Sequence, residues 1–175
     1  IDDKRGGGYD RFKGRVVFPV LNVAGKIIAF SARTLKNDQA KYVNSPESII
    51  YTKGNELYGL YQAKHAIVKQ NKCYLVEGNA DVVSMHQAGF DNTIASLGTA
   101  LTPNQVRMIR RFTENVTIMY DGDSAGIKAA LKAINLLLPE GINVRVLLLP
   151  DGDDPDSFSK KHNATEFQEY IDNNE

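Results

Sequence analysis

The chain has 175 residues, 42% of them hydrophobic and 24% charged, and no net charge at pH 7. This is the length of one domain, or of one domain with a small companion, and it carries enough apolar material for an ordinary core, which excludes a disordered or collagen-like chain. Apolar runs such as Val146–Leu149 are far too short to cross a bilayer, no export signal is visible, and the single cysteine, Cys73, excludes an internal disulfide and a cysteine-rich zinc site, so a cytoplasmic protein is expected.

The Gly6-Gly7-Gly8 run reads as a flexible lead-in. Arg15 to Val20 and Lys26 to Ala32 are strand-like and flank a turn containing Asn22 and Gly25, which predicts an antiparallel hairpin. Lys36 to Lys53 is rich in polar turn residues, and Asn55 to Gln70 has helical character around Leu57, Leu60, Tyr61 and Ala63. From Lys72 onward, strand and helix signals alternate, as expected of a parallel sheet covered by helices. Lys72–Val76 is a strand, and a short helix after Asn79 is closed by Gly89. Asn92–Ala95 is a second strand, followed by a helix that Thr102, Pro103 and Gln105 begin with a reciprocal cap. Val116–Tyr120 is a third strand. The next helix carries Ile127, Ala130, Leu131, Ile134, Leu137 and Leu138 at spacings of three and four and ends at Pro139 and Gly141. Asn143–Leu149, nearly all apolar, reads as a fourth strand covered on both faces, and Thr165 with Gln168 fits the start of a terminal helix.

The zero net charge conceals an asymmetry. Residues 1–72 hold 13 Lys and Arg against 6 Asp and Glu, whereas residues 73–175 hold 8 against 15. One basic and one acidic half suggest a surface for a polyanion beside one that collects cations.

The acids fall just beyond the predicted strand ends: Glu77 and Asp81 after the first, Asp121 and Asp123 after the third, and Asp151, Asp153, Asp154 and Asp156 after the fourth. In an open parallel sheet, ligands bind in the crevice beyond those ends. Crowded carboxylates repel one another, and a divalent cation relieves that repulsion; oxygen ligands without histidine or thiolate point to Mg²⁺ or Mn²⁺ and away from zinc. A calcium-loop reading of Asp121-Gly122-Asp123 fails, because Lys132 stands where a bidentate glutamate is required. The competing reading makes each acid a turn former or helix cap.

Tyr74-Leu75-Val76-Glu77-Gly78 with Asp81, Tyr120-Asp121-Gly122-Asp123-Ser124-Ala125-Gly126, and Gly152-Asp153-Asp154-Pro155-Asp156 resemble the three motifs of the Toprim domain. Lys41-Tyr42-Val43-Asn44-Ser45-Pro46-Glu47, Lys53-Gly54 and Leu57-Tyr58-Gly59-Leu60-Tyr61 narrow the resemblance to the DnaG-type bacterial primases, over nearly the whole chain. The resemblance implies an α/β architecture: a Toprim fold over about 71–175, with a central, mostly parallel sheet flanked by helices, preceded by a small mixed α+β basic subdomain over about 1–70.

It further implies a DNA-dependent RNA polymerase making short primers for replication by metal-dependent nucleotidyl transfer. Glu77, Asp121 and Asp123 would be the principal catalytic and metal-ligating residues, and Asp81, Asp154 and Asp156 would complete the acidic site around two or more Mg²⁺ or Mn²⁺ ions, with no zinc in this segment. A role for Glu77 as proton acceptor stays open beside ligation. Arg33, Lys41, Lys53 and the Gly98 turn (Ser96-Leu97-Gly98-Thr99) would hold template or nucleotide phosphates. The implied partners are single-stranded DNA, ribonucleoside triphosphates and the RNA primer, with a replicative helicase and a single-strand-binding protein engaged through other parts, and no membrane. Where the family carries an aromatic residue and a methionine, this chain has Asn79 and Ala80, which changes the packing expected around Glu77 and Asp81. The family's zinc-binding and helicase-interacting modules are not recognised here, so a piece of the catalytic core, weak or inactive by itself, is expected. A Toprim nuclease or topoisomerase, or a non-catalytic Toprim module binding nucleic acid, are the alternatives.

Overall fold

The hairpin expected near the start of the chain is present. A computed structural model describes residues 10–36, 40–98, 100–150 and 152–175; the Gly6-Gly7-Gly8 run, Thr99 and Asp151 lie outside them. β1 (Arg15–Leu21) and β2 (Ile27–Thr34) pair antiparallel with Val20 opposite Ala29. Asn22 makes the turn: its Oδ1 accepts from the Ala24 and Lys26 amides at 3.1 and 3.0 Å, and Gly25 takes the left-handed conformation that an L side chain resists. β3 (Tyr42–Asn44) adds to β2, within the stretch expected to be turns. Its three residues are too few to show a period.

A second sheet has the order β4-β6-β5-β7-β8, built from β4 (Leu57–Tyr58), β5 (Cys73–Val76), β6 (Thr93–Ser96), β7 (Asn115–Ile118) and β8 (Asn143–Val146). β5 to β8 run parallel and β4 pairs antiparallel with β6. The connecting helices are α1 (Leu60–Gln70), α2 (Asn79–Gln87), α3 (Pro103–Arg110), α4 (Ser124–Leu137), α5 (Pro155–Lys161) and α6 (Ala164–Asn174). The side chains of β5 alternate between two cores. Cys73 and Leu75 join Ile67 of α1, Ile109 of α3 and Leu137 of α4, while Tyr74 and Val76 join Met85 of α2, Phe158 of α5 and Phe167 of α6. Helices therefore cover both faces, as a parallel sheet requires. No helix among the described residues is long and apolar enough to cross a membrane.

Three local expectations are corrected, and one apolar pattern is only partly buried. Leu57 and Tyr58 form a strand, because Gly59 at φ +82° breaks the chain before α1 can begin. The strand at Asn143 stops at Val146 and lies at the sheet edge, where Asn143 and Arg145 are exposed, so it is not covered on both faces. On α4, Ala130, Ala133 and Leu137 are buried, but Ile127, Leu131 and Leu138 are exposed; the apolar stripe is wider than the surface the sheet offers. The last helix is capped by Asn163 and Glu166, two residues before the expected pair, which places Phe167 and Ile171 in the core.

A small cluster of Val20, Ala29, Tyr51 and Leu97 joins the three-stranded sheet to the larger one. Gln105, fully buried, fastens the neighbouring loop: its Nε2 donates to the Glu56 carbonyl at 2.7 Å and its Oε1 accepts from the Thr102 amide at 3.0 Å.

Candidate active site

The parallel strands end at one edge of the sheet, and the acids follow directly. Glu77 comes one residue after β5. Gly78 begins α2, and its amide donates to Asp81 Oδ2 at 2.9 Å, so Asp81 is turned back toward the strand end. Asp121 follows β7, and its amide donates to Glu77 Oε1 at 3.3 Å, linking two motifs 44 residues apart. Gly126 makes that approach possible, since a Cβ there would stand 2.1 Å from the Asp121 carbonyl oxygen and 3.0 Å from Glu77 Oε1.

Asp123 caps α4, its Oδ1 accepting from the Ala125 and Gly126 amides at 2.9 and 2.8 Å. Asp154 caps α5, accepting from the Ser157 amide at 2.7 Å. The cap reading is thus correct for these two acids, and it leaves the second carboxylate oxygen of each without a partner among the described residues.

Glu77, Asp81, Asp121 and Asp154 line one cavity of about 230 Å³, and Arg33, Lys41 and Gly98 line it with them. Tyr42, Asn44 and Ser31 line it too. Tyr42 and Asn44 entered the sequence reading only as markers of a family motif; their strand partner β2 carries Arg33, and that pairing is what brings them here. The Arg33 guanidinium lies 5.8 Å from the centre of the Tyr42 ring. Asp123 instead borders an adjoining cleft with Asp121 and Asp154. Asn79 and Ala80 line the main cavity beside Glu77 and Asp81, so the changed pair forms part of its wall.

Two expected site residues stand elsewhere. Lys53 does not line this cavity. Asp156 is engaged by the Ser84 hydroxyl, by Lys160 Nζ at 2.8 Å and by Arg33 Nη1 at 4.0 Å. Burial alone would raise its pKa, but these partners hold it below the usual carboxylate range. Gly98 has φ +64°, a left-handed conformation that glycine accepts readily.

The remaining acids feel one another. Burial, then Asp154, Asp121 and Asp156, push Asp81 up to about 7 against the opposing Gly78 hydrogen bond. Burial, then Asp121 and Asp123, raise Glu77. Burial, then Asp154 and Asp123, raise Asp121, while Lys41 pulls it down. Among the described residues no group of three or more His, Cys, Asp and Glu already stands in a metal-holding arrangement. Backbone amides occupy one oxygen each of Glu77, Asp81, Asp123 and Asp154. The donor set is nonetheless all oxygen, mutually repelling and partly free, which fits a hard divalent cation.

Residues 1–64 match the family described as the DNA primase catalytic core, N-terminal domain, and residues 74–159 match the Toprim-like family. A DNA primase of Halalkalibacterium halodurans is 51% identical over 170 residues, covering 97% of this chain and 28% of that protein. The Aquifex aeolicus primase structure containing zinc-binding and RNA polymerase domains superposes with a TM-score of 0.93 at 41% identity, covering 100% of this chain and 44% of that one. A DnaG primase catalytic domain bound to single-stranded DNA gives a TM-score of 0.88 at 41% identity, with 98% of this chain and 56% of that chain covered. The chain spans under a third of the length of its relative from Halalkalibacterium. The matches cover both the small sheet with its basic residues and the acidic sheet edge, and the chain therefore belongs to the DnaG-type bacterial DNA primases, as a part of their catalytic core.

Proposed function

We propose that this chain contributes the catalytic centre of a primase that joins ribonucleoside triphosphates into a short RNA primer on single-stranded DNA. The observation that carries the reading is the one cavity in which Glu77, Asp81, Asp121 and Asp154 meet Arg33 and Lys41. Mg²⁺ or Mn²⁺, held as a pair by Glu77, Asp121 and Asp123 with Asp81 and Asp154 beside them, would supply charge neutralisation, activation of the 3′-hydroxyl and stabilisation of departing pyrophosphate.

The protein's own part is to position. Arg33 and Lys41 offer cations to nucleotide or template phosphates in the cavity that the acids line. Asp156, engaged by its own partners, steadies Arg33 and is not assigned as a ligand. The Asp121 amide orients Glu77, and the space at Gly126 keeps the two acids together. Lys53 is left as a contact to nucleic acid outside the cavity. The structure of a relative bound to single-stranded DNA supports the template assignment. The N-terminal match to the primase core weighs against the nuclease and topoisomerase readings. Contacts with a replicative helicase and a single-strand-binding protein are assigned to parts of the relatives that this chain does not span.

Replacing the matching segment of the Halalkalibacterium primase with this chain gives the test. The chimera is expected to make RNA primers on single-stranded DNA and to lose that activity with Asp121→Asn. Cleavage of the template in place of synthesis, or synthesis unaffected by Asp121→Asn, would overturn the reading.

A further inference from the structure

A second cleft, of about 510 Å³, adjoins the catalytic cavity: Glu77 and Gly98 line both. Its walls are chemically different from those of the first. α4 contributes Ala125, Lys128, Ala129 and Lys132, and Ala100 and Leu101 line the cleft as well. Among the described residues Glu77 is the sole acid along it, against two lysines one helical turn apart.

Those lysines differ from most other cations of the acidic half; Arg111 also closes no ion pair among the described residues, but it does not line this cleft. Arg107, Arg110, Arg145, Lys160 and Lys161 each close an ion pair, with Glu140, Glu114, Glu175, Asp156 and Asp153. Lys128 and Lys132 close none among the described residues, and both are exposed. Nor do they serve the carboxylates. The charges acting on Glu77 are Asp121 and Asp123, and those acting on Asp121 are Asp154, Asp123 and Lys41. Two uncompensated cations beside small apolar residues leave room for a sugar–phosphate chain to lie against α4 with its phosphates on the ammonium groups.

We propose that this cleft is a track for the phosphodiester backbone of a nucleic-acid strand whose end reaches the catalytic cavity past Glu77 and Gly98. The proposal rests on the primase reading and extends it to a surface on α4. Template DNA and new RNA share that backbone, so both serve as probes. Fluorescence anisotropy with labelled single-stranded DNA and RNA oligonucleotides, from about 50 mM to about 200 mM salt, compares the parent chain with Lys128→Gln/Lys132→Gln and Lys128→Glu/Lys132→Glu. Each lost single-strand phosphate contact lowers the salt slope by about 0.7, so the double variants are expected to lose about 1.4 in slope and roughly tenfold in affinity per lysine at the lower salt. A loss confined to DNA assigns the template, and a loss confined to RNA the product. Unchanged affinity and slope for both probes would overturn the proposal, as would a parent chain that binds neither. Mn²⁺ titration of the same variants separates the two readings: strand affinity that depends on the lysines, in a chain that takes up no Mn²⁺, supports the track and contradicts the metal-dependent centre.

Discussion

Asp81 offers a quantitative test of the acidic site, because it is 7% exposed and its carboxyl group is pushed up to about 7, first by burial and then by Asp154, Asp121 and Asp156. In the unfolded chain the same group ionises near pH 4, so ionising it in the metal-free fold costs about 4 kcal/mol as an upper bound. Between about pH 4 and pH 7 the folded protein keeps a proton that the unfolded chain has released; stability therefore falls as pH rises through this window and levels off above it. Asp81→Asn removes the ionisation while leaving an oxygen to accept from the Gly78 amide. Without divalent ions, urea denaturation should show the variant more stable than its parent by about 2–4 kcal/mol near pH 8 and nearly equal to it near pH 4. Part of the parent's slope should survive in the variant, since Glu77 and Asp121 are also raised by burial and by neighbouring acids. Added Mg²⁺ should stabilise the parent more than the variant. Parallel pH profiles, or a variant less stable near pH 8, would refute the claim that this carboxylate is held at a cost.

Other outcomes follow from single contacts. Gly126→Ala sets a Cβ 2.1 Å from the Asp121 carbonyl oxygen at a buried position, so it should destabilise by about 1–3 kcal/mol in urea and weaken Mn²⁺ uptake, while a substitution at an exposed helix position, Lys69→Ala, should do neither. Gln105→Ala leaves the Glu56 carbonyl and the Thr102 amide without their partner and should cost about 1–3 kcal/mol in the same assay, with Mn²⁺ binding retained. Asp156→Asn weakens the grip of Lys160 and Ser84. Because the Asp156 carboxyl is held low, the stability it contributes is present above about pH 4 and lost below, so parent and variant should converge in acid denaturation.

Much of the fold is legible in the chain because its signals are local. The four parallel strands, the Thr102 cap and the left-handed Gly89 after α2 each depend on residues close in sequence. What escaped depends on distant partners or on competing local choices. β4 is two residues long and exists only through its pairing with β6. Asn163 and Thr165 offer overlapping caps, and burial of Phe167 and Ile171 decides between them. α5 had its signal in Asp154, Pro155 and Ser157, a capping residue followed by proline and a reciprocal hydroxyl, hidden within a run read as an acidic turn.

The site divides in the same way. Strand ends locate Glu77, Asp81 and Asp121 from hydrophobic pattern alone, because a parallel sheet places its strand termini on one edge. That Arg33, Lys41 and Tyr42 face those acids depends on how the small sheet sits against Leu97 and Tyr51, which no local pattern encodes. Asp156 illustrates the limit: its spacing matches the motif, yet Lys160 one turn later and Ser84 on α2 take its oxygens.

Titration calorimetry with Mn²⁺ addresses the central claim most directly, that carboxylates from separate stretches act together on a hard cation. The parent chain should bind Mn²⁺, and Asp121→Asn and Glu77→Gln should each abolish that binding while leaving the urea midpoint at or above the parent's. Binding that survives either substitution, or a parent chain indifferent to Mn²⁺, would contradict the account.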